Sequence, residues 1–333
     1  VLAGHGEIAG DGPDGLSALL DVLHLRGFTT RILDEAALSR LGRVPDDGVL
    51  LVAGPTAPLG DAAIRAIETY LRDGGAALVL ADHRAPADLV GLLERWAVMV
   101  GGQPGDEQAR RVVAHSLDRA LRVAERRLDL LAVDVSRGRG DDGLRSRLLP
   151  AAAGRPAVLP ATAPVWAPDF QRAGPELTER FHAQGGLSPE TEAVTLGLPG
   201  DDAWLAPFGE TQVPAGNPAA GDLPLARAGD YPPHPQRSQG QRRARLVVWG
   251  SREAATSRWV ADARWANGDL LAEAAGWLAG RDAEAAIPPT DHRAWTIAAS
   301  PTTVAVLTGL LTALLPSLLI GLAILAWRAN RRG

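Results

Sequence analysis

The first candidates for chemistry are four polar side chains that follow short apolar runs. His5 and Glu7 lie in the turn Gly4-His5-Gly6-Glu7, and Asp82 and His83 follow Ala76–Ala81. Imidazole and carboxylate groups can ligate a metal or share a proton as an acid–base pair. Two further turns, Gly54-Pro55 and Gly250-Ser251, close apolar runs in the same way. In a parallel sheet, ligands bind outside the carboxyl ends of the strands. That rule gathers Gly4, His5, Gly6, Glu7, Gly54, Asp82, His83 and Ser251 on one rim as candidate ligand- or partner-binding residues. The same residue types also cap helices and satisfy turn amides after a strand. No metal-ligand spacing repeats, so the expectation is a binding rim with no catalytic residue, metal or cofactor.

Missing chemistry narrows the choice further. There is no cysteine, which removes thiol nucleophiles, disulfides and thiolate metal sites. Every one of the 34 basic residues is arginine. Without lysine the chain has no Walker-type phosphate loop and no Schiff-base residue. The G-x-S-x-G elbow and the H-E-x-x-H helix are absent, and Gly4, Gly6 and Gly10 miss the dinucleotide fingerprint by one residue. A net charge of -5 argues against nucleic acid as a partner. Nine tryptophans could serve a sugar-stacking surface, but Trp96 and Trp277 lie on apolar helical stripes and read as core.

The elements that must hold this rim alternate along the first hundred residues. Val1–Ala3 reads as the end of a strand, so an upstream segment is expected before it. Leu16, Leu19, Leu20 and Leu23 share one helical face that stops at Gly27. Phe28–Leu33, Val49–Ala53 and Ala76–Ala81 read as strands. Ile64, Ile67 and Leu71 mark one helix between them, and Leu89, Leu92, Leu93 and Trp96 another. Strand–helix alternation of this kind predicts a parallel, doubly wound α/β sheet.

The middle is less regular. Val113, Leu117, Leu121, Ala124, Leu128 and Leu131 fit an amphipathic helix, and Gln212–Arg243 is rich in Pro and Gly and reads as surface loop. Leu246–Trp249 returns to a buried strand, followed by a helix carrying Leu271, Ala274 and Leu278. The organisation expected is therefore 1–100 as the first part of the α/β domain, 101–243 as an irregular insertion, and 244–286 as the closing strand and helix. A linker, 287–301, follows.

Residues 302–327 contain no charged side chain. As a helix they would reach about 39 Å, enough to cross a hydrocarbon core of about 30 Å with some tilt. Pro316 falls near the middle, and Trp295 and Trp327 flank the stretch. Arg328, Arg331 and Arg332 follow it at once, against only Arg293 close to its other end. The positive-inside rule predicts a cytoplasmic tail at 328–333 and an extracytoplasmic domain.

Six segments in order carry a family resemblance. They are Val1–Glu7 (VLAGHGE), Val44–Leu59, Ile67–Asp82, Asp222–Ala226, Ala244–Ser251 and Asn267–Gly280, with a closing Pro-containing apolar stretch and arginine tail. Together they resemble the GldG-like family, auxiliary components of an ABC-type transport system linked to gliding motility. The resemblance implies a flavodoxin-like, class I glutamine-amidotransferase-like fold, similar also to a domain of intraflagellar-transport proteins. The amidotransferase cysteine has no counterpart here. The resemblance further implies a non-catalytic role, with the lipid bilayer and ABC permease and ATPase subunits on other chains as partners, in a bacterial inner membrane. A cell-envelope hydrolase or a glycan-binding module built on the same rim stays open as the alternative.

Overall fold

In the computed structural model the described residues are 1–34, 37–38, 44–45, 48–101, 111–115, 130–133, 142–167, 175–183, 185–187, 191–196, 203–207, 224–232, 243–281 and 331. Val1–Pro288 forms one compact unit and Pro289–Gly333 a second. The expected membrane stretch 302–327 and its linker lie outside the described residues. Among the described residues no helix is long and apolar enough to cross a membrane.

The elements run, in chain order, α1 (Ser17–Leu25), β1 (Val49–Ala53), α2 (Gly60–Arg72), β2 (Ala76–Leu80), α3 (Ala87–Arg95) and β3 (Met99–Val100). Then come β4 (Arg111–His115), β5 (Leu130–Val133), α4 (Asp142–Ala152), β6 (Ala157–Pro160), β7 (Val165–Trp166) and α5 (Pro175–Ala183). The chain continues with β8 (Thr191–Leu196), β9 (Ala203–Pro207), β10 (Ala226–Tyr231) and β11 (Ala244–Trp249), before α6 (Ser257–Val260) and α7 (Asn267–Leu278).

A five-stranded sheet, ordered β1-β2-β11-β10-β8, organises the unit. β1, β2 and β11 are parallel, with Val52 beside Val79 and Val79 beside Val248. β10 and β8 are antiparallel additions on one side. On the other side the Leu2 amide donates to the Leu51 carbonyl, and Leu2 forms a parallel bridge with Leu33. The result is a mixed α/β fold whose sheet is mostly parallel and flanked by helices.

β1, β2 and the Leu246–Trp249 stretch of β11 are apolar throughout because both faces are covered. Their side chains alternate between two cores, as the two-residue strand period requires. Leu51, Leu78, Leu80, Val247 and Trp249 pack with α1 and α7. Leu50, Val52, Val79, Leu246 and Val248 pack with α2 and α3. Trp96 and Trp277 are buried, as their helical stripes predict. Trp96 meets Tyr231 edge to face, and the Tyr231 hydroxyl donates to the Trp96 carbonyl at 2.6 Å.

Three expectations are corrected. Val113 and Leu131 lie in strands β4 and β5, which pair with β9 and β6, so the helix predicted across 113–131 does not exist at either end. Ala226–Tyr231, read as loop, is the strand β10, with Ala226, Ala228 and Tyr231 buried against the sheet. Of the strand expected over Phe28–Leu33, only Leu33 makes a bridge.

Candidate functional site

The rim forms where β1, β2 and β11 end together. The loop Gly4–Glu7 sits beside the turn Gly54-Pro55-Thr56, because the Thr56 and Ala57 amides both donate to the His5 carbonyl, at 2.9 and 2.8 Å. The Ile8 amide closes the loop onto the Ala53 carbonyl at 2.9 Å. Gly6 (φ +76°) and Gly54 (φ +66°) hold left-handed backbone that favours glycine. They also leave room that a Cβ would take. On Gly6 it would strike the Thr56 hydroxyl, and on Gly54 the Arg252 side chain.

His5 and Glu7 form a closed pair. The Glu7 carboxylate accepts the His5 amide at 2.6 Å with one oxygen and faces the His5 Nδ1 at 3.0 Å with the other. Both side chains are more than nine-tenths buried. Nδ1 is thereby oriented by a carboxylate, while the buried Nε2 has no hydrogen-bond partner.

Asp82, 3% exposed, is held by Arg84. The Arg84 Nε and Nη2 donate to one Asp82 oxygen at 3.0 and 2.5 Å, and the Arg84 amide donates to the other at 2.8 Å. Arg84 also reaches Glu253 at 3.0 Å, which joins residues 169 apart in sequence. Burial works against the Arg84 charge, but its bonds to Asp82 and Glu253 prevail and raise its affinity for the proton. Arg252 is held below its usual value, first by burial and then by the charge of Arg84. It donates to the Gly6 carbonyl at 3.2 Å. His83 is pushed down chiefly by burial, partly offset by Asp82.

Ser251 is fully buried and its hydroxyl donates to the Pro160 carbonyl at 2.5 Å. Behind it, Asn267 donates to the Val158 and Ala254 carbonyls and accepts the Val158 amide. These bonds tie β6 and the turn after β11 to α7.

All eight expected residues therefore lie along one edge, but most of their polar groups are spent on one another or on backbone. Arg84, Arg252, Glu253 and Asn267 were missed. The first three were within reach of the rule that selected Asp82 and Ser251, since they stand only one or two residues further along the same turns. Among the described residues no cluster of three or more His, Asp or Glu could hold a metal ion.

No family model matches this chain. No curated protein matches it either. Among solved structures, one described as the mmIFT52 N-terminal domain is 14% identical, with a TM-score of 0.46, over 79% of this chain and 89% of that one. A likeness at that level carries no functional argument.

Proposed function

We propose that the chain is a non-catalytic auxiliary subunit of an ABC-type transport system, with an α/β domain outside the cytoplasm that binds a partner or ligand. In this reading Thr302–Trp327 crosses the membrane, the arginine tail stays inside, and the permease and ATPase are other chains. The strand order Leu33, Leu2, β1, β2, β11 supports the flavodoxin-like fold that the GldG-like resemblance implies.

The observation that carries the non-catalytic reading is the internal satisfaction of the rim. Glu7 is bonded to His5, Asp82 and Glu253 to Arg84, and the Ser251 hydroxyl to a backbone carbonyl. A general base or nucleophile needs a lone pair or proton within reach of a substrate. Purification of the full chain from membranes in mild detergent tests the reading: an ATPase and a permease should co-purify. Recovery of the chain alone, or only with soluble enzymes, would remove it.

One feature favours the second reading, an acid–base enzyme. A carboxylate-oriented imidazole with an unpartnered Nε2 is an arrangement that catalysis uses. Replacing His5 or Glu7 with Ala should alter stability or partner capture and abolish no hydrolysis. A turnover on cell-envelope substrates lost in both variants would instead establish the enzyme.

A further inference from the structure

On the flank of the sheet beyond Leu2, the outermost described segment is Thr30–Asp34. The Val1 nitrogen donates to the Arg31 carbonyl at 2.7 Å, the Leu33 amide to the Val1 carbonyl at 2.8 Å, and the Ala3 amide to the Leu33 carbonyl at 3.0 Å. Arg31 and Leu33 therefore turn their backbone groups inward. The two-residue period of such a chain turns those of Thr30, Ile32 and Asp34 outward. The Ile32 amide and carbonyl have no hydrogen-bond partner among the described residues, and neither do those of Thr30. Of the outward groups the Asp34 carbonyl alone is taken, by the Leu38 amide at 2.9 Å.

Apolar surface gathers beside this bare backbone. Leu25 and Ile32 are 87% and 69% exposed, and they are the large apolar side chains left exposed among the described residues. Leu33 is buried on the side of α2 and α3, so strand alternation turns Thr30 and Ile32 to the side of α1. There the Thr30 hydroxyl and the His24 Nε2 stand 3.0 Å apart, which holds the last turn of α1, with Leu25, against the segment. Arg31 and Asp34 flank Ile32, both exposed and neither in an ion pair among the described residues. The Asp34 carboxylate accepts the Ala37 amide at 2.6 Å.

We infer that this segment is the interface of a homodimer, in which a second copy of the chain extends the sheet across a two-fold axis at Ile32. A residue that faces its own copy in an antiparallel pair exchanges two hydrogen bonds with it, and the Ile32 amide and carbonyl supply both. The same axis sets Thr30 opposite Asp34 of the second copy, whose amide is available to the Thr30 carbonyl. It sets Arg31 of each copy beside Asp34 of the other and packs the two Ile32 side chains together on one face. Charges on a sheet edge usually keep other chains away. Here they have opposite signs on the two sides of Ile32, so they complement a second copy of this chain. A two-fold contact of this kind closes at two copies.

Because the chain has no cysteine, introduced thiols test the interface without background. In a hydrogen-bonded antiparallel pair the Cα atoms lie about 5.5 Å apart, within reach of a disulfide or a short bismaleimide. Ile32→Cys in the full chain, in mild detergent, should therefore cross-link to a dimer. Thr30→Cys and Asp34→Cys copies, mixed, should link mainly to each other. Ala261→Cys, exposed just after α6, should stay monomeric. Sedimentation of the unmodified chain should show a concentration-dependent dimer. Ile32→Lys, with circular dichroism unchanged, should weaken that dimer about tenfold or more. Cross-linking at Ile32 no faster than at Ala261, a monomer up to about 0.1 mM, or a dimer that Ile32→Lys leaves intact overturns the interface.

Discussion

The two edges of the sheet both carry arginines and give them different partners. At the carboxyl edge, three carboxylates, two guanidinium groups and two imidazoles lie together, and two glycines let the loops close over the strand ends. At the amino edge, where β1 and β2 begin, Arg245 and Arg281 donate to carbonyls at the ends of α7 and α1, and a cavity of about 820 Å³ stays open. The contrast teaches that titratable residues at the expected rim do not by themselves make a site. Where the loops close over the strand ends, those side chains also serve to hold the loops in place.

Breaking the sealed rim should have the largest effect. A Cβ on Gly250 would collide with the Ala163 carbonyl oxygen and come within 3.0 Å of that of Leu225. Backbone cannot move aside as a flexible side chain can, so Gly250→Ala should cost about 3 kcal/mol, read from the urea midpoint. A near-neutral result would show that the rim is looser than described.

At the amino edge the same kind of insult should be milder. The Tyr70 hydroxyl donates to the Gly48 carbonyl at 2.5 Å and accepts the Ala76 amide at 3.1 Å. Water entering from the cavity can replace part of what Tyr70→Phe removes, so the loss should be about 1–2 kcal/mol. A cost matching that of Gly250→Ala would erase the distinction between a sealed and an open edge.

The smallest effect is a pH dependence seated on the rim. Burial holds His83 below its ordinary value of 6.5. The unfolded chain therefore takes up this proton first as pH falls. The contribution of His83 is full above about pH 6.5 and declines below it, until the folded imidazole itself protonates. Unfolding followed between about pH 8 and about pH 5.5 should show this slope, and His83→Gln should flatten it. An unchanged slope would place the titration elsewhere.

The parallel core was legible because burial on both faces leaves unbroken apolar runs, as in Val49–Ala53 and Leu246–Trp249. β10 was not. Arg227 and Asp230 interrupt it, and its neighbours are rich in Pro and Gly, so an antiparallel strand looked like loop. Val113 and Leu131 misled for the converse reason: apolar residues about four apart fit a helix even when the chain between them contains two strand ends. At the rim, residue types and positions could be read from strand ends. The pairing of Arg84 with Glu253 could not, since nothing local links residues so far apart, and neither could the cavity, which is assembled from the turn after α1, two strand starts and the end of α7.

The place of β11 between β2 and β10 also sets a timetable for synthesis. β2 is complete at Leu80, yet the strand that covers its free side ends only at Trp249. A ribosome adding about 5–20 residues per second leaves the apolar edge of β2 waiting for about 10–30 s. Sheet closure is then a late, long-range event, slow by its topology. A nascent chain stalled before Ala244 would carry an unpaired apolar strand edge of the kind that chaperones hold and that aggregates when they do not.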